Sequence, residues 1–574
     1  MDYNKEFERW CKLADSETVA ELTAKADDKE WIRYFFQGPL AFGTAGLRGT
    51  MNAGTFAMNR YTVAQATQGL ADLINREEGN AERGVLIGFD SRNNSPEFAR
   101  ITASVLAANG IKVYLYDELR PTPMVSFGLR YLNCIAGVNI TASHNPKEYN
   151  GYKVYWEDGA QISLEQAIVV SDSINATDIF EGVKTCDYDT AIAEGKITVV
   201  GPELDEEYLK NVMAQQVDPK AIERTAEDLK VVYTPFHGAG YRLVPEVLKR
   251  AGLKYLYPVP EQATPDGDFP TVKSPNPENP EGFALGIELA EKVESDLIVG
   301  TDPDADRVGV MARGKDGKFV TITGNQMGAL LLDYSIKQRR ALGTLKKNAY
   351  AVKSLVSTDM AYKIAEDNGI KLHDVLTGFK FIGEVIKNYE ARGEEDGFLL
   401  GFEESYGYLL GSYARDKDAV EASMMILEMT AYYKKLGMTL SDALAALYAT
   451  YGFYAERTVD IYMEGLDGIE KRKRIMQSLR DSSPASIGGA KVATVGDYKS
   501  GRVVSLADGS VGTTGQPSSD VLYFTLENGD KIIVRPSGTE PKIKIYILAH
   551  GDDSATLEEK VAKYQTDSKR MTEV

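Results

Sequence analysis

The stretch IAGVNITASHNP, Ile135–Pro146, sets the grammar of the chain: a short apolar run, then a polar loop of residues able to do chemistry. The same phrase returns in VLIGFDSR from Val85, LKVVYTPFHG from Leu229 and LIVGTDPDADR from Leu297. YAVKSLVST from Tyr350, FLLGFEES from Phe398 and IIVRPSGTEP from Ile532 continue it, with helix-like stretches between. Continuous Val/Ile/Leu runs are what strands buried on both faces look like, so the expected class is α/β with parallel or mixed sheets. Ligands in such folds bind just beyond the carboxyl ends of the strands, where these polar loops fall.

Outward from these runs, residues 1–35 read as helices, with Phe7, Trp10 and Leu13 spaced for one apolar face. The acidic, weakly apolar stretch from Glu165 to Glu207 reads as an exposed helical excursion before a boundary. PVPEQATPDGDFPTVKSPNPENP, Pro258–Pro280, has apolar strands on both sides and reads as an ordered loop within one domain. From Phe453 the strand-like runs RTVDIYM, VLYFTL, KIIVRP and KIKIYIL precede the helical TLEEKVAKYQ, which predicts a separate α+β domain. The 574 residues divide on this reading into 1–205, 206–318, 319–452 and 453–574.

Hydrophobic residues at 43% and charged residues at 26% exclude wholesale disorder. The 65 Lys+Arg against 84 Asp+Glu leave a net charge of −19, which repels nucleic acid and anionic lipid. A small anionic substrate then requires a site that reverses the sign locally. Three cysteines without a CxxC pair suit a reducing cytosol. The opening MDYNKEFERW lacks an apolar signal core, and no apolar run approaches the roughly 18 residues a bilayer span needs. The expected location is cytoplasmic.

Four loops carry candidate chemistry. In TASHNPKEYNGYKVY, Ser143 follows a buried strand behind the small Ala142, and His144 or Lys153 can manage the proton of an attacking or leaving oxygen. Taken singly, the Ser, Asn, Pro and Gly here also suit a plain turn. In DPDADR, the alternating carboxylates of Asp302, Asp304 and Asp306 repel one another unless a cation sits among them. Hard oxygen donors point to Mg²⁺ rather than zinc. An EF-hand is excluded, because Arg307 and Arg313 stand where its glycine and glutamate belong. Arg307 beside the triad suggests a neighbouring anion. In GFEESYGY, Glu403 and Ser405 alternate and can face one cleft to hydrogen-bond vicinal hydroxyls. In RPSGTEPKIKIY, the Arg535 guanidinium, the Ser537 and Thr539 hydroxyls and the amides around Gly538 can form a phosphate cradle, though taken singly a Ser-Gly-Thr stretch is also a common turn. FGTAGLRGT presents Arg48 but lacks the G-K-[ST] ending of a P-loop, and TGFKFIG presents Lys380. His237, in the strand-end loop PFHGAG, could face the cleft but reads first as structural; His373 and His550 read as ordinary.

Ser loop, Asp triad, Glu-Ser loop and Arg-Ser-Gly-Thr loop, in that order, resemble the α-D-phosphohexomutase superfamily; FGTAGLRG with GFEESYGY looks most like its phosphoglucomutase branch. The resemblance spans almost the whole chain. It implies four domains around a central cleft, three related α/β domains and a distinct C-terminal α+β domain. It implies that Ser143 is the phosphorylated nucleophile and, with Asp302, Asp304 and Asp306, a ligand of Mg²⁺. Arg307 and Arg48 would lie close to the phosphoserine, while His144 and Lys153 would move protons, Lys153 being the preferred acid/base. Lys380, Glu403 and Ser405 would bind the sugar, and Arg535, Ser537, Gly538 and Thr539 the non-reacting phosphate. Many relatives carry a histidine shortly after the sugar-reading serine, where this chain reads Tyr406-Gly407-Tyr408. The implied reaction interconverts glucose 1-phosphate and glucose 6-phosphate through glucose 1,6-bisphosphate. Mannose or pentose phosphate mutases, a hexose-bisphosphate synthase and a serine-nucleophile metal phosphatase are the alternatives. The expected partners are small hexose phosphates, with no nucleic acid and no membrane, and the sequence carries no sign of oligomeric state.

Overall fold

Strands β2 (Val85–Phe89), β4 (Ala136–Ile140) and β9 (Leu297–Thr301) are buried at every position, as their unbroken apolar runs require. They belong to a computed structural model that describes residues 2–44, 46–314, 316–463, 465–537 and 542–573. The chain divides into two compact units. The first takes Met1–Ile322, Gly383–Asp396 and Tyr406–Thr439; the second takes Thr323–Ile382, Gly397–Ser405 and Leu440–Val574.

Two mixed sheets organise the first unit. One is ordered β1-β5-β4-β2-β3-β6, with β1 at Leu47–Thr50, β3 at Val113–Tyr116, β5 at Tyr149–Trp156 and β6 at Ile197–Val200. Within it β4, β2, β3 and β6 run parallel, β5 is antiparallel to β4, and the edge strand β1 is antiparallel to β5. The other is ordered β11-β10-β9-β7-β8, with β7 at Lys230–Thr234, β8 at Tyr255–Pro258, β10 at Val308–Arg313 and β11 at Phe319–Ile322. Again β9, β7 and β8 are parallel, β10 is antiparallel to β9, and the edge strand β11 is antiparallel to β10. The parallel set of each sheet therefore ends in a chain reversal, at β4 to β5 and at β9 to β10. The Ser143 loop occupies the first reversal and the Asp302–Arg307 loop the second. Register places Lys153 directly across from Asn139, so the lysine stands at the mouth of the Ser143 loop.

Helix Ala419–Lys435 is buried throughout its first thirteen positions and packs against helix Gly240–Arg250. The Asp418 carboxylate caps it, accepting from the amides of Val420 and Glu421 and from the hydroxyls of Tyr208 and Tyr413. The stretch from Glu165 to Glu207 is less exposed than its composition predicts. Val170 and Ile174 of helix Leu164–Ala176 pack on helix Arg60–Ile74, and β6 closes the sheet edge. At the N-terminus Trp10 is fully buried against Phe36, but Leu13, at the end of helix Tyr3–Leu13, is 49% exposed. The expected apolar face is thus one turn shorter than its spacing suggests.

In the second unit, strands Lys371–Val375, Tyr350–Ser354 and Phe398–Glu403 form a parallel set with Tyr350–Ser354 central. The C-terminal sheet is antiparallel throughout, led by Phe453–Tyr462 paired with Lys542–Gly551. Helices Gly465–Asp481 and Ser554–Arg570 supply Ile475, Met476, Leu557 and Val561 to its core. Among the described residues, no helix is long and apolar enough to cross a membrane.

Candidate active site

Ser143 leaves β4 with a φ of 53° and is 2% exposed. Its amide donates to Thr141 Oγ1 at 2.8 Å, an ST-turn that stabilises the tight bend. Its hydroxyl donates to Asp302 Oδ2 at 2.8 Å and lies 3.3 Å from His144 Nδ1. Beneath the loop, the buried Arg92 guanidinium donates to the carbonyls of Ser143, Asn145, Pro146 and Tyr149. Those four acceptors close the loop around one cation. Arg48, on β1 opposite Gly151 of β5, donates to Asn145 Oδ1 at 3.0 Å.

The second reversal brings three carboxylates to the same place. Asp302, Asp304 and Asp306 are buried, each with an oxygen within 4.8 Å of the others. Asp302 Oδ1 accepts from the amides of Asp306 and Arg307. Burial, reinforced by the charges of Asp304 and Asp306, pushes the Asp302 carboxyl well above the usual range. Burial and Asp306 also act to raise Asp304, but the Lys153 ammonium and the Thr122 hydroxyl outweigh them and hold it low. Lys153 Nζ donates to Asp304 Oδ2 at 2.7 Å and to Asp306 Oδ2 at 3.1 Å. The lysine is only 4% exposed, and burial works against its charge, yet the two carboxylates keep it above its ordinary value. Asp304 Oδ1 and Asp306 Oδ1 are buried without a hydrogen-bond partner. Two orphaned anionic oxygens in a hard-oxygen cluster fit a divalent cation of the Mg²⁺ type.

Four further side chains take part that sequence reasoning missed. Thr122 donates its amide to Asp304 O and its hydroxyl to Asp304 Oδ2, while accepting from Asn139 Nδ2 on β4. Lys417 lies 3.2 Å from Asp306 and 2.9 Å from Asp416. Arg92 follows β2 in VLIGFDSR, the sort of strand-end position that could have flagged it. Glu278 accepts from Arg307 NH1 at 3.1 Å. His237 is structural as expected, bridging Thr264 O and Thr271 Oγ1 within the proline-rich segment.

The remaining predicted residues lie in the second unit. Glu403 is buried at the end of its strand and accepts from the amide of Gly378, next to the loop that carries Lys380. Lys380 Nζ sits 4.8 Å over the Phe381 ring, and Ser405 is half-buried. Arg535 pairs in register with Lys544, and the Ser537 amide donates to Lys542 O at 2.9 Å. Gly538 and Thr539 lie outside the described residues.

Comparison with known proteins identifies this arrangement. Residues 39–179, 206–315 and 323–451 match phosphoglucomutase/phosphomannomutase alpha/beta/alpha domains I, II and III, and residues 486–563 match the C-terminal domain. The chain belongs to the phosphoglucomutase/phosphomannomutase family. Phosphoglucomutase of Staphylococcus aureus strain MRSA252 is 37% identical over 558 residues, covering 96% of this chain and 97% of that relative. The open form of Paramecium parafusin (phosphoglucomutase) matches with a TM-score of 0.67 at 21% identity, covering 93% of this chain and 95% of that one. Aspergillus fumigatus N-acetylphosphoglucosamine mutase, solved with GlcNAc-6P and magnesium, matches at a TM-score of 0.51 and 14% identity, over 93% of this chain and 96% of that one. As a family member the chain is a four-domain phosphohexomutase-type enzyme of the phosphotransferase class. Arg48, Ser143, His144 and Lys153 fall in the domain I match, the Asp triad and Arg307 in domain II, Lys380, Glu403 and Ser405 in domain III, and Arg535 to Thr539 in the C-terminal match.

Proposed function

We propose that the chain is a phosphoglucomutase that interconverts glucose 1-phosphate and glucose 6-phosphate, with Ser143 as phosphoryl carrier and glucose 1,6-bisphosphate as intermediate. The observation that carries this reading is the 2.8 Å hydrogen bond from Ser143 Oγ to Asp302, inside a cluster that also holds Lys153. A serine 2% exposed keeps bulk water from a phosphoserine, which favours transfer to a sugar over hydrolysis. Asp302, Asp304 and Asp306, with the phosphorylated Ser143, would hold Mg²⁺. Bound there, the ion withdraws charge from the phosphoryl group in transfer. Lys153, its ammonium held by Asp304 and Asp306 beside the serine loop, is assigned the acid/base role toward an oxygen leaving or entering the site; His144 Nδ1 faces the Ser143 hydroxyl. Arg48 and Arg307 supply fixed positive charge beside the reacting group.

The intermediate must turn over within the site, so the sugar needs recognition that serves two opposed poses. Glu403, Ser405 and Lys380 are assigned to the hydroxyls, and Arg535, Ser537, Gly538 and Thr539 to the non-reacting phosphate. The division 1–205, 206–318, 319–452 and 453–574 belongs to the same reading and is supported by the four successive family matches. A cytoplasmic location is supported by three cysteines that are all unpaired.

Intact-mass analysis of the purified protein should reveal a fraction carrying one phosphoryl group, absent from Ser143→Ala. A panel of glucose, mannose and ribose 1-phosphates, with Mg²⁺ and hexose bisphosphate, should give fastest isomerisation of the glucose ester, abolished by EDTA and restored by Mg²⁺. Full activity in Ser143→Ala would overturn the mechanism. Release of free phosphate without isomerised product would mark a phosphatase instead.

A further inference from the structure

The segment Pro258–Pro280 reaches the site at four points. The Phe269 ring lies 5.1 Å from the Arg92 guanidinium, and Asp268 pairs with Lys147 at 3.3 Å. Ser274 Oγ donates to His144 O at 3.3 Å, and Glu278 Oε1 accepts from Arg307 NH1 at 3.1 Å. The last contact is the most firmly built. Pro275 and Pro277 fix two φ angles on either side of Asn276, and both prolines are buried. Asn276 Oδ1 accepts from the Glu278 amide at 3.0 Å, and its carbonyl accepts from Asn279 at 2.9 Å. Pro277 rests against Gly309 of β10, where a Cβ would come within 2.6 Å of the Pro277 carbonyl oxygen. The backbone of Glu278 is therefore seated close to the start of β10, two residues along from Arg307. Its carboxylate meets the guanidinium at NH1, whereas Nε faces the Asp cluster.

Arg307 has a competing anion. Its Nε lies 3.7 Å from Asp306 Oδ1, an oxygen without a hydrogen bond. A guanidinium released from Glu278 would close that gap, because a charge-assisted hydrogen bond in a buried setting is worth more than one exposed to water. It would then occupy a carboxylate oxygen assigned above to the cation and turn away from the phosphoryl group. We propose that Glu278 is a positioning residue that holds Arg307 off the Asp cluster, keeping the guanidinium available to the transferring phosphoryl group and Asp306 available to the cation. This rests on the mutase reading for the phosphoryl part alone; the effect on cation binding does not require turnover.

The test is a double-mutant cycle of Glu278→Ala and Arg307→Ala with two readouts. The first is Mn²⁺ affinity of the metal-free protein by titration calorimetry. E278A should weaken Mn²⁺ roughly 10-fold in the natural background and by less than about 2-fold when Arg307 is already alanine. The second is steady-state mutase kinetics, where E278A should lower kcat roughly 10- to 100-fold with KM within about 3-fold, again only when Arg307 is present. Glu278→Gln, which keeps an accepting oxygen, should restore much of both. Equal losses from E278A in the two backgrounds would mean that Glu278 merely folds the segment and would overturn the proposal, as would natural Mn²⁺ affinity in E278A. An unaltered protein without mutase activity but with the non-additive Mn²⁺ cycle would retain the positioning role and refute the mutase reading.

Discussion

Replacing Ser143 with alanine and, separately, with glycine tests the geometry of the Ser143 loop apart from its chemistry. Both substitutions remove the same hydroxyl and the same 2.8 Å hydrogen bond to Asp302, so those losses cancel in the comparison. What differs is the Cβ on a residue held at a φ of 53°. A left-handed backbone costs an L-residue with a Cβ about 1–2 kcal/mol, and glycine almost nothing. Against this, glycine loses more freedom on folding, which favours alanine by about 0.4–1 kcal/mol. The balance predicts Ser143→Gly more stable than Ser143→Ala by about 1 kcal/mol, the reverse of the usual order in helices and strands. Urea unfolding of the metal-free variants, followed by tryptophan fluorescence with Trp156 in β5 as a local reporter, measures the difference. On the mechanism proposed above, both variants should also lose mutase turnover by at least about 10³-fold. If the glycine variant unfolds at equal or lower urea than the alanine variant, the loop stores no left-handed strain and this account of its shape is wrong.

Glu456, in strand Phe453–Tyr462, is pushed up to about 7 by burial, with Asp359 adding to the rise and a hydrogen bond with Thr358 opposing it. The folded state then binds the proton more tightly than the unfolded chain, so stability falls as pH rises from about 4.5 to about 7. Glu456→Gln should flatten that slope and raise stability at pH 8 by about 1–2 kcal/mol, with little effect at pH 5; thermal unfolding at the two pH values checks it, and an equal gain at both would refute the cause. Gly238 lies against the Asp loop, where a Cβ would stand 2.4 Å from Pro303 Cα. Gly238→Ala should destabilise the protein by about 2 kcal/mol or more and weaken Mn²⁺ binding; a variant with natural Mn²⁺ affinity would mean the loop absorbs the collision without moving its carboxylates.

Much of this architecture is legible in the amino-acid sequence alone. Each of the apolar runs quoted from it becomes a strand, because burial on both faces leaves little room for polar substitution. Ser143 and the Asp triad are legible for another reason: their chemistry is packed into a few consecutive residues. Arg92, Thr122, Lys417 and Glu278 are not, because their partners come from elsewhere in the chain. Arg92 reaches Ser143 across 51 positions and Thr122 reaches Asp304 across 182. Lys417 sits in ARDKDAV, whose alternating charges look like a solvated turn, yet Asp416, Lys417 and Asp418 are all buried. A buried cation is uncommon enough that a lone lysine is read as exposed until its counter-charges are known. Strand direction is equally hidden: nothing in the composition of β5 or β10 announces that each runs antiparallel to its neighbour.

Thr122 joins the two sheets of the first unit through a single side chain, bonded to Asn139 of β4 on one side and to Asp304 beyond β9 on the other. Such a joint works like a dowel between two boards. If either sheet shifts in thermal motion, Ser143 and the carboxylates are dragged together, and the Ser143–Asp302 spacing survives a movement that would otherwise open it. Lys153 of β5, bonded to Asp304 and Asp306, shares that coupling between the sheets. Thr122 opens helix Thr122–Tyr131, where a first-turn amide has no acceptor within its own helix and ordinarily exchanges fast. Held by the Asp304 carbonyl instead, its amide hydrogen should exchange with solvent as slowly as those of the central strands.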